Sequence, residues 1–174
     1  NNLNQGIYKN YPRIVGETGG KDFVLAYKDT DLESLCTALI RGAYEYQGQK
    51  CSAASRAYIP QSIWPKLREM LVDNIKTIKV GDVSDFTTFM GAVIDEKAFN
   101  RIRSFIDYAS HASSCHILAG GNYDDSNGYF IWPTLVEVTD PHDKLMEEEI
   151  FGPILSVYVY NDEEFDEMLK LIDN

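Results

Sequence analysis

The chain has 174 residues, of which 44% are hydrophobic and 25% charged, and its formal net charge is −11. This composition is typical of one globular domain with a proper core and excludes the disordered class. The acidic excess argues against nucleic-acid and anionic-membrane partners, because both require clustered Lys and Arg. No apolar run reaches transmembrane length, and the three cysteines are widely spaced, which favours free thiols in a reducing compartment.

The beginning of the chain predicts two short strands around a glycine-rich turn. Residues 1–11 are polar without an apolar period, so no element is expected there. Pro12–Gly16 is interpreted as a short strand that runs into the turn 17–21, where paired glycines permit backbone angles closed to other residues. The apolar run 23–27 then predicts a buried strand.

A helix, a strand and a second helix are expected next. Thr30 and Glu33 have the spacing of a capping box, and apolar residues recur every three or four positions until the helix ends near Tyr46. Residues 57–59 predict a strand closed by a proline. Ser62 is positioned to cap a second helix that extends to about residue 78.

The second half of the chain continues this alternation. Asp95 opens a third helix, residues 116–119 form a short strand, and residues 130–138 form an extended segment broken by a proline. Residues 154–160 alternate like a strand, and Asp162 starts a last helix. Strands that alternate with amphipathic helices predict a sheet covered on both faces. We therefore expect one α/β domain over the whole chain, a three-layer αβα sandwich with a mostly parallel sheet.

Cys51 lies in a turn of small residues, between Gly48 and the pair Ala53-Ala54. A thiol nucleophile needs this setting, with little bulk around the sulfur, whereas a structural cysteine usually lies among large aliphatic residues. Cys36 is of the second kind, because it falls on the apolar face of the first predicted helix. Spacing by itself leaves a structural role for Cys51 open.

None of the three histidines is an evident general base for this cysteine. His111 ends a predicted helix, His116 begins a strand, and His142 follows a proline in a loop, so core or surface roles are favoured. His111, Cys115 and His116 look like part of a metal cluster. No fourth ligand follows at a recognisable spacing, so no metal site is expected.

Glu17 is the stronger candidate for the base, although a capping or turn role is the simpler interpretation of it by itself. It lies in a glycine-rich turn after a predicted strand, where α/β sheets present reactive groups. If the Glu17 and Cys51 turns lie at the same end of adjacent parallel strands, both face one cleft. A thiolate that attacks first and a carboxylate that later activates water would then need no histidine.

Four segments, in the right order, resemble motifs of the aldehyde dehydrogenase superfamily. Residues 17–21 (Glu-Thr-Gly-Gly-Lys) resemble its Glu-x-Gly-Gly-Lys motif, and residues 48–51 (Gly-Gln-Lys-Cys) resemble its Gly-Gln-x-Cys motif. Segments 128–134 and 148–153 match two further stretches of the family. The resemblance covers almost the whole chain and implies the fold of that family's catalytic domain.

Within the superfamily, a narrower resemblance rests on residues 11–13, 16–21, 45–46, 48–53 and 156–160. In these residues the chain resembles the Δ1-pyrroline-5-carboxylate dehydrogenases. This resemblance implies oxidation of L-glutamate γ-semialdehyde to L-glutamate in proline degradation. Another small aldehyde, such as succinic semialdehyde, is the alternative substrate.

The resemblance also implies a two-stage reaction with NAD as cofactor. Cys51 would attack the aldehyde carbon to give a thiohemiacetal, hydride would pass to NAD, and Glu17 would activate the water that hydrolyses the thioester. Glu149 would hold the nicotinamide ribose and Phe151 would lie against the nicotinamide. Ser52 would help to place the carboxylate of the substrate.

The chain departs from the family in length. The family's nucleotide-binding domain lies mostly upstream of the Glu17 motif and its oligomerisation strand lies downstream, and neither is expected within these 174 residues. We therefore expect a catalytic domain without measurable NAD-dependent activity by itself, and the alternative is a packing or interaction module. The full-length protein is expected to be a homo-oligomer of the cytoplasm or the mitochondrial matrix.

Overall fold

The computed structural model describes residues 5–8 and 10–173. Residues 5–8 and 10–22 contain neither helix nor strand, which confirms the prediction for residues 5–8, 10 and 11; residues 1–4 and 9, which that prediction also covers, lie outside the described residues. The predicted strand at Pro12–Gly16 is wrong, because Ile14 and Val15 are 65% and 89% exposed and the described part of the chain offers them no partner strand. A strand is stable only beside other strands, whatever its apolar content.

Five strands form one sheet in the order β1-β2-β7-β6-β3. The parallel strands are β1 (Phe23–Leu25), β2 (Arg56–Pro60), β7 (Ile154–Tyr160) and β6 (Thr134–Val138). At one edge, β3 (Cys115–Ala119) runs antiparallel to β6, and a separate ribbon pairs β4 (Tyr123–Asp124) with β5 (Phe130–Ile131). The prediction of a mostly parallel sheet is confirmed.

Helices cover both faces of this sheet. One face packs against α1 (Leu32–Tyr44) and α2 (Trp64–Thr77), and the other against α3 (Glu96–His111), the short α4 (Lys144–Glu147) and α5 (Phe165–Asp173). Within the described ranges, no helix combines the length and the apolar character needed to cross a membrane.

Each strand contributes to two cores, because successive side chains point to opposite faces of the sheet. In β2, Ala57 and Ile59 pack with α1 and α2, whereas Tyr58 between them packs with the residues of α3. The three-layer arrangement is therefore the predicted one.

Aspartate side chains cap the first turns of two predicted helices, α3 and α1. Asp95 caps α3 as predicted, since its carboxylate accepts a hydrogen bond from the backbone N–H three residues on at 2.7 Å. The cap of α1 is Asp31 rather than Thr30, because Asp31 accepts from the N–H of Ser34 at 2.9 Å. The Thr30 hydroxyl accepts instead from the N–H of Tyr27 at 3.1 Å.

The predicted cap at Ser62 is wrong for a tertiary reason. Helix α2 begins at Trp64, and Ile63 at its cap position makes no side-chain hydrogen bond. The hydroxyl and the N–H of Ser62 both donate to the carboxylate of Asp162, 100 residues further on. Asp162 itself lies in a 3₁₀ turn, so α5 begins three residues later than predicted, at Phe165.

Asp143 is a buried carboxylate that joins three elements. It accepts hydrogen bonds from the hydroxyls of Ser114 (2.6 Å) and Tyr108 (3.1 Å) and from the N–H of Leu145 (2.8 Å). Burial by itself raises the pKa of Asp143, but these hydrogen bonds outweigh it and hold the pKa below its ordinary 3.8. The network fixes the end of α3 and the start of β3 against α4.

Candidate active site

The turn that carries Glu17 and the loop that carries Cys51 meet at one end of the sheet. Strands β1 and β2 are adjacent and parallel, with Phe23 opposite Arg56, and the two segments directly precede them. A Cβ built on Gly20 would overlap the carbonyl oxygen of Cys51, so the segments are in contact. The condition for a shared cleft, that both turns lie at the same end of adjacent parallel strands, is therefore met.

The end that they occupy differs from the prediction. Glu17 was expected to follow a strand and so to lie at the carboxyl end of the sheet. Because residues 12–16 form no strand, the Glu17 turn precedes β1 and lies at the amino end. Phe151 likewise precedes β7, so three adjacent parallel strands carry their candidate residues at their amino ends.

The backbone before Cys51 takes a left-handed course. Tyr46, Gln47 and Gly48 have φ of 54°, 57° and 64°, which ends α1 at Tyr44, two residues earlier than predicted. Each non-glycine residue in this conformation costs about 1–2 kcal/mol, and such strain clusters at functional sites. Nothing in the sequence except Gly48 signalled this turn.

Close backbone packing holds the left-handed turn in place. A Cβ on Gly48 would overlap the carbonyl oxygen of Gly152 and lie 2.8 Å from that of Ala43. The side chain of Gln49 accepts a hydrogen bond from the N–H of Ile94 at 3.0 Å. The Cys51 loop is therefore fixed against both the segment after α4 and the start of α3.

The Cys51 thiol has the surroundings of a reactive group. Cys51 is exposed, whereas Cys36 and Cys115 are buried, and all three are free thiols. Among the hydrogen bonds of the described residues, none involves the backbone N–H of Cys51. That N–H can therefore donate to an oxyanion formed at the attacked carbon.

Lys50 precedes the thiol but is engaged elsewhere. Its Nζ donates to the carboxylate of Glu45 at 2.9 Å, and Arg41 donates to the same carboxylate at 2.6 Å. The hydrogen bond from Lys50 and the charge of Arg41 lower the pKa of Glu45. Lys50 thus belongs to a surface ion-pair group rather than to the thiol.

Glu17 and Ser52 are exposed and lack partners in the structure. Neither side chain makes a hydrogen bond or an ion pair with any other described residue. A carboxylate in this state can accept a proton from water, and a free hydroxyl can donate to a substrate carboxylate. Both residues lie on the two segments that meet at the amino ends of β1 and β2.

Glu149 is bound to the Glu17 turn. Its Oε1 accepts a hydrogen bond from the N–H of Gly20 at 2.8 Å. A Cβ on Gly19, which has φ of 131°, would lie 2.6 Å from Oε2 of Glu149. Gly19 therefore leaves the space that this carboxylate occupies, and Gly20 supplies the N–H that binds it.

Phe151 lines the same small cavity as Glu149 and parts of the Cys51 loop. It is half-buried, and its φ of 55° is left-handed, which adds a further strained residue at this end of the sheet. Phe151 and Glu149 line a small cavity together with Gly20, Gly48 and residues 53–55. Neighbouring residues of the Glu17 turn and the Cys51 loop thus line this cavity, whereas Glu17, Cys51 and Ser52 themselves are not among its lining residues.

Lys21 and Arg56 are functional candidates to which sequence reasoning gave no role beyond membership of the motifs. Nζ of Lys21 donates to the hydroxyl of Ser55 at 2.7 Å, and the carbonyl of Lys21 accepts from Nε of Arg56 at 3.0 Å. Burial and the nearby Arg56 charge lower the pKa of Lys21 to about 7, against the opposing effect of Glu149 and Glu148.

The histidines lie on other parts of the molecule. His111 is at the end of α3, His116 is in β3 and His142 is before α4, where its Nδ1 lies 2.9 Å from the carboxylate of Glu147. Among the residues with described positions, no three His, Cys, Asp or Glu side chains are grouped to hold a metal.

Comparison with known proteins identifies the family that has this fold and this pair of segments. The model of the aldehyde dehydrogenase family matches residues 2–174. The chain belongs to the aldehyde dehydrogenase family.

The relatives that match this chain share the name of one particular enzyme of the family. The chain is 53% identical over 172 residues to the mitochondrial Δ1-pyrroline-5-carboxylate dehydrogenase of Dictyostelium discoideum, covering 99% of this chain and 31% of that protein. It is 54% identical over 172 residues to the enzyme of the same name from Danio rerio, covering 98% and 31%. The chain therefore spans 31% of the length of both relatives.

Solved structures agree with these relatives. The Δ-pyrroline-5-carboxylate dehydrogenase of Mycobacterium tuberculosis matches with a TM-score of 0.90 and 46% identity, over 99% of this chain and 32% of that one. The same enzyme with bound NAD matches with a TM-score of 0.88, 46% identity and coverage of 99% and 31%. Both confirm the predicted fold class.

Proposed function

We propose that this chain supplies the nucleophile and the general base of an NAD-dependent enzyme that oxidises L-glutamate γ-semialdehyde to L-glutamate. The observation that carries the proposal is the contact between the Glu17 turn and the Cys51 loop, with Glu149 bound to the same turn. The names of the relatives support the substrate, and their mitochondrial location supports the mitochondrial matrix, with the cytoplasm as the alternative.

Cys51 performs the first stage. Its thiolate adds to the aldehyde carbon, and the carbonyl oxygen becomes the oxyanion of a thiohemiacetal. The unengaged backbone N–H of Cys51 donates to that oxyanion, a type of stabilisation worth about 2.7–4 kcal/mol per donor. The carbon then loses hydride and becomes a thioester of Cys51.

Glu17 performs the second stage. Its free, exposed carboxylate accepts a proton from water, and the resulting nucleophile attacks the thioester carbon. The carbon–sulfur bond breaks, the substrate leaves as a carboxylate, and the Cys51 thiolate is restored. General base catalysis of this kind contributes about 10²–10⁴-fold to the rate.

The residues of this end of the sheet fit a nicotinamide nucleotide. Glu149 is exposed and uses one oxygen for Gly20, so its remaining lone pairs can accept hydrogen bonds from the hydroxyls of a ribose. Phe151 offers a fixed aromatic side chain next to it. NAD supplies the acceptor for the hydride when it is bound.

Ser52 is proposed to select the substrate. Its free hydroxyl follows the nucleophile directly, so it is placed to donate to the carboxylate that the semialdehyde carries besides its aldehyde group. A chain with this residue should prefer an aldehyde that carries a carboxylate to an uncharged aldehyde of similar length.

A chimaeric enzyme tests the reaction and the substrate. This chain replaces the corresponding segment of the Danio rerio relative, to which it is 54% identical. We expect NAD reduction with L-glutamate γ-semialdehyde, no turnover after Cys51→Ala, and a loss of about 10²–10⁴-fold after Glu17→Gln. Glu33→Gln, which removes an exposed carboxylate from α1, is the matched control and should change nothing.

The kinetics of this chimaeric enzyme distinguish between the two candidate substrates and test the role of Glu17. Higher kcat/KM with succinic semialdehyde than with L-glutamate γ-semialdehyde would select the alternative substrate. Full activity after Glu17→Gln would remove Glu17 as the base.

Exposed apolar residues favour a second candidate function, that of a packing module. Ile7, Tyr11, Ile14 and Val15 are between 60% and 89% exposed and follow one another closely at the start of the chain. Such a group usually marks a contact surface. Light scattering after size exclusion should show self-association of this chain that Val15→Lys weakens. Val83→Lys, at a valine 77% exposed in another loop, is the control and should not weaken it.

A further inference from the structure

Lys21 is fixed at both ends between the Glu17 turn and the start of β2. Its Nζ donates to Ser55 Oγ at 2.7 Å, and its carbonyl accepts from Arg56 Nε at 3.0 Å. The backbone N–H of the preceding residue, Gly20, donates to Glu149 at 2.8 Å. Gly20 and Lys21 therefore join the Glu17 turn to the start of β2 and to the segment after α4.

Charges of both signs act on the amine of Lys21. Arg56 on β2 repels the ammonium form of Lys21, whereas Glu148 and Glu149 after α4 attract it. With burial as the largest cause, these charges leave Lys21 with a pKa of about 7. The amine therefore changes charge in the physiological range, where an ordinary lysine remains protonated.

We propose that Lys21 is a positioning residue whose amine pins the Glu17 turn to the strand after Cys51 and, through its charge, sets how firmly Glu149 is held on that turn. The ammonium form attracts the carboxylate of Glu149, whose Oε1 accepts from the N–H of Gly20, the residue before Lys21. The neutral form leaves that carboxylate with the backbone hydrogen bond only, so it is freer to accept from another donor, such as a ribose hydroxyl.

The direction of the pH effect follows from these charges. Below neutral pH the ammonium holds Glu149 on the turn, and above it the hold is weakened. The Gly20 amide proton reports this directly, because an amide proton loses deshielding when its carboxylate acceptor moves away. The role of Lys21 rests on the proposed function only in that Glu17 and Glu149 are taken as site residues.

An NMR titration of this chain from pH 5.5 to pH 9 tests the proposal without any turnover. The ε-carbons of ¹³C-labelled lysines give the midpoint of Lys21, assigned by its loss in Lys21→Arg, and ¹⁵N-labelled glycine gives the Gly20 amide. We expect a Lys21 midpoint near 7 and an upfield shift of the Gly20 amide proton with the same midpoint. The amide of Gly16, which has no neighbour within 4 Å of its Cβ position, is the internal reference.

Matched variants separate positioning from folding. In Lys21→Met the Gly20 amide should no longer titrate in this range, whereas Lys97→Met, which removes an exposed lysine from α3, should behave as the native chain does. Arg56→Met should raise the Lys21 midpoint, because it removes the repelling charge. If Lys21→Met fails to fold, the titrations of the native chain and of Arg56→Met still show whether the Gly20 amide follows the charge of Lys21.

Two results would overturn the proposal. One is a Lys21 that stays charged up to pH 9. The other is a Lys21 that titrates near 7 while the Gly20 amide of the native chain does not follow it. Neither result depends on dehydrogenase activity, so each is distinguishable from a failure of the proposed reaction.

Discussion

Adding one methyl group at Gly20 should separate the two halves of the candidate site. Gly20→Ala would place a Cβ inside the van der Waals distance of the Cys51 carbonyl oxygen and 3.2 Å from the carbonyl carbon. Both are backbone atoms, so the overlap cannot be relieved by turning a side chain. Gly16, in the same segment, has no atom within 4 Å of its Cβ position and neither glycine has a positive φ, so Gly16→Ala is a matched control.

The expected magnitude follows from this geometry. Ordinary Cβ contacts begin at 3.4 Å, so the Glu17 turn and the Cys51 loop must separate by about 1 Å, and overpacking of this kind costs about 1–3 kcal/mol. A misplacement of about 1 Å between reacting groups lowers a rate by about 10²-fold. Gly16→Ala should instead be neutral or stabilise the chain by about 0.4–1 kcal/mol, because alanine restricts the unfolded state.

Two assays check both parts of this prediction. Urea unfolding of the chain gives the change in the free energy of unfolding, and the chimaeric enzyme gives the change in kcat. The reasoning would be refuted if Gly20→Ala were tolerated as well as Gly16→Ala in both assays, because the contact between the two segments would then have no consequence.

Three further predictions concern other parts of the chain. Gly120 and Gly121 both have φ of 79°, but only a Cβ on Gly120 would overlap backbone atoms, those of Pro133 and Thr134. Urea unfolding should show that Gly120→Ala destabilises the chain by about 1–3 kcal/mol more than Gly121→Ala does. The pKa of Asp143 is lowered in the folded state from its ordinary 3.8, so the ionised side chain stabilises the fold well above that value and this stabilisation is lost as the pH falls through the folded pKa. Asp143→Asn should therefore lower the free energy of unfolding by about 1.5–3 kcal/mol at pH 7. In urea unfolding at a series of pH values, the variant should also lose this part of the acid dependence. Burial raises the pKa of Cys115 to about 11, so iodoacetamide at pH 8 should alkylate Cys51 and leave Cys115 unmodified, as measured by mass spectrometry; equal labelling of both would contradict the assignment.

The sequence predicted those elements whose signals are local. The Asp95 cap depends on a backbone N–H three residues on, and it was predicted correctly. The Ser62 cap failed because its hydroxyl is bound to Asp162, a partner that no local pattern reveals. The strand at 12–16 failed for a similar reason, since strand formation depends on a neighbour that the apolar residues themselves cannot supply.

The segments of the candidate site could be predicted from the sequence, but their backbone geometry could not. The motifs predict roles for Glu17 and Cys51, and the parallel pairing of β1 with β2 brings their segments together. The left-handed backbone at Tyr46 and Gln47 could not be predicted, because neither residue type favours it and tertiary packing imposes it. The buried amine of Lys21 was missed because its surroundings come from segments 34 and more than 120 residues away.

The reversed direction of β3 has an electrostatic consequence for the end of the sheet that carries the Cys51 loop. Because β3 is antiparallel to its neighbour, the helix that leads into it, α3, runs opposite to α1 and α2 relative to the sheet. Its amino terminus therefore lies at the end of the sheet where Ile94 donates to Gln49, two residues before Cys51. An α-helix carries a positive partial charge of about half a unit at its amino terminus and a negative one at its carboxyl terminus. The Cys51 loop thus lies between the negative carboxyl end of α1 and the positive amino end of α3. Because β3 is antiparallel, the negative potential from the end of α1 is accompanied at this loop by a positive potential from the start of α3.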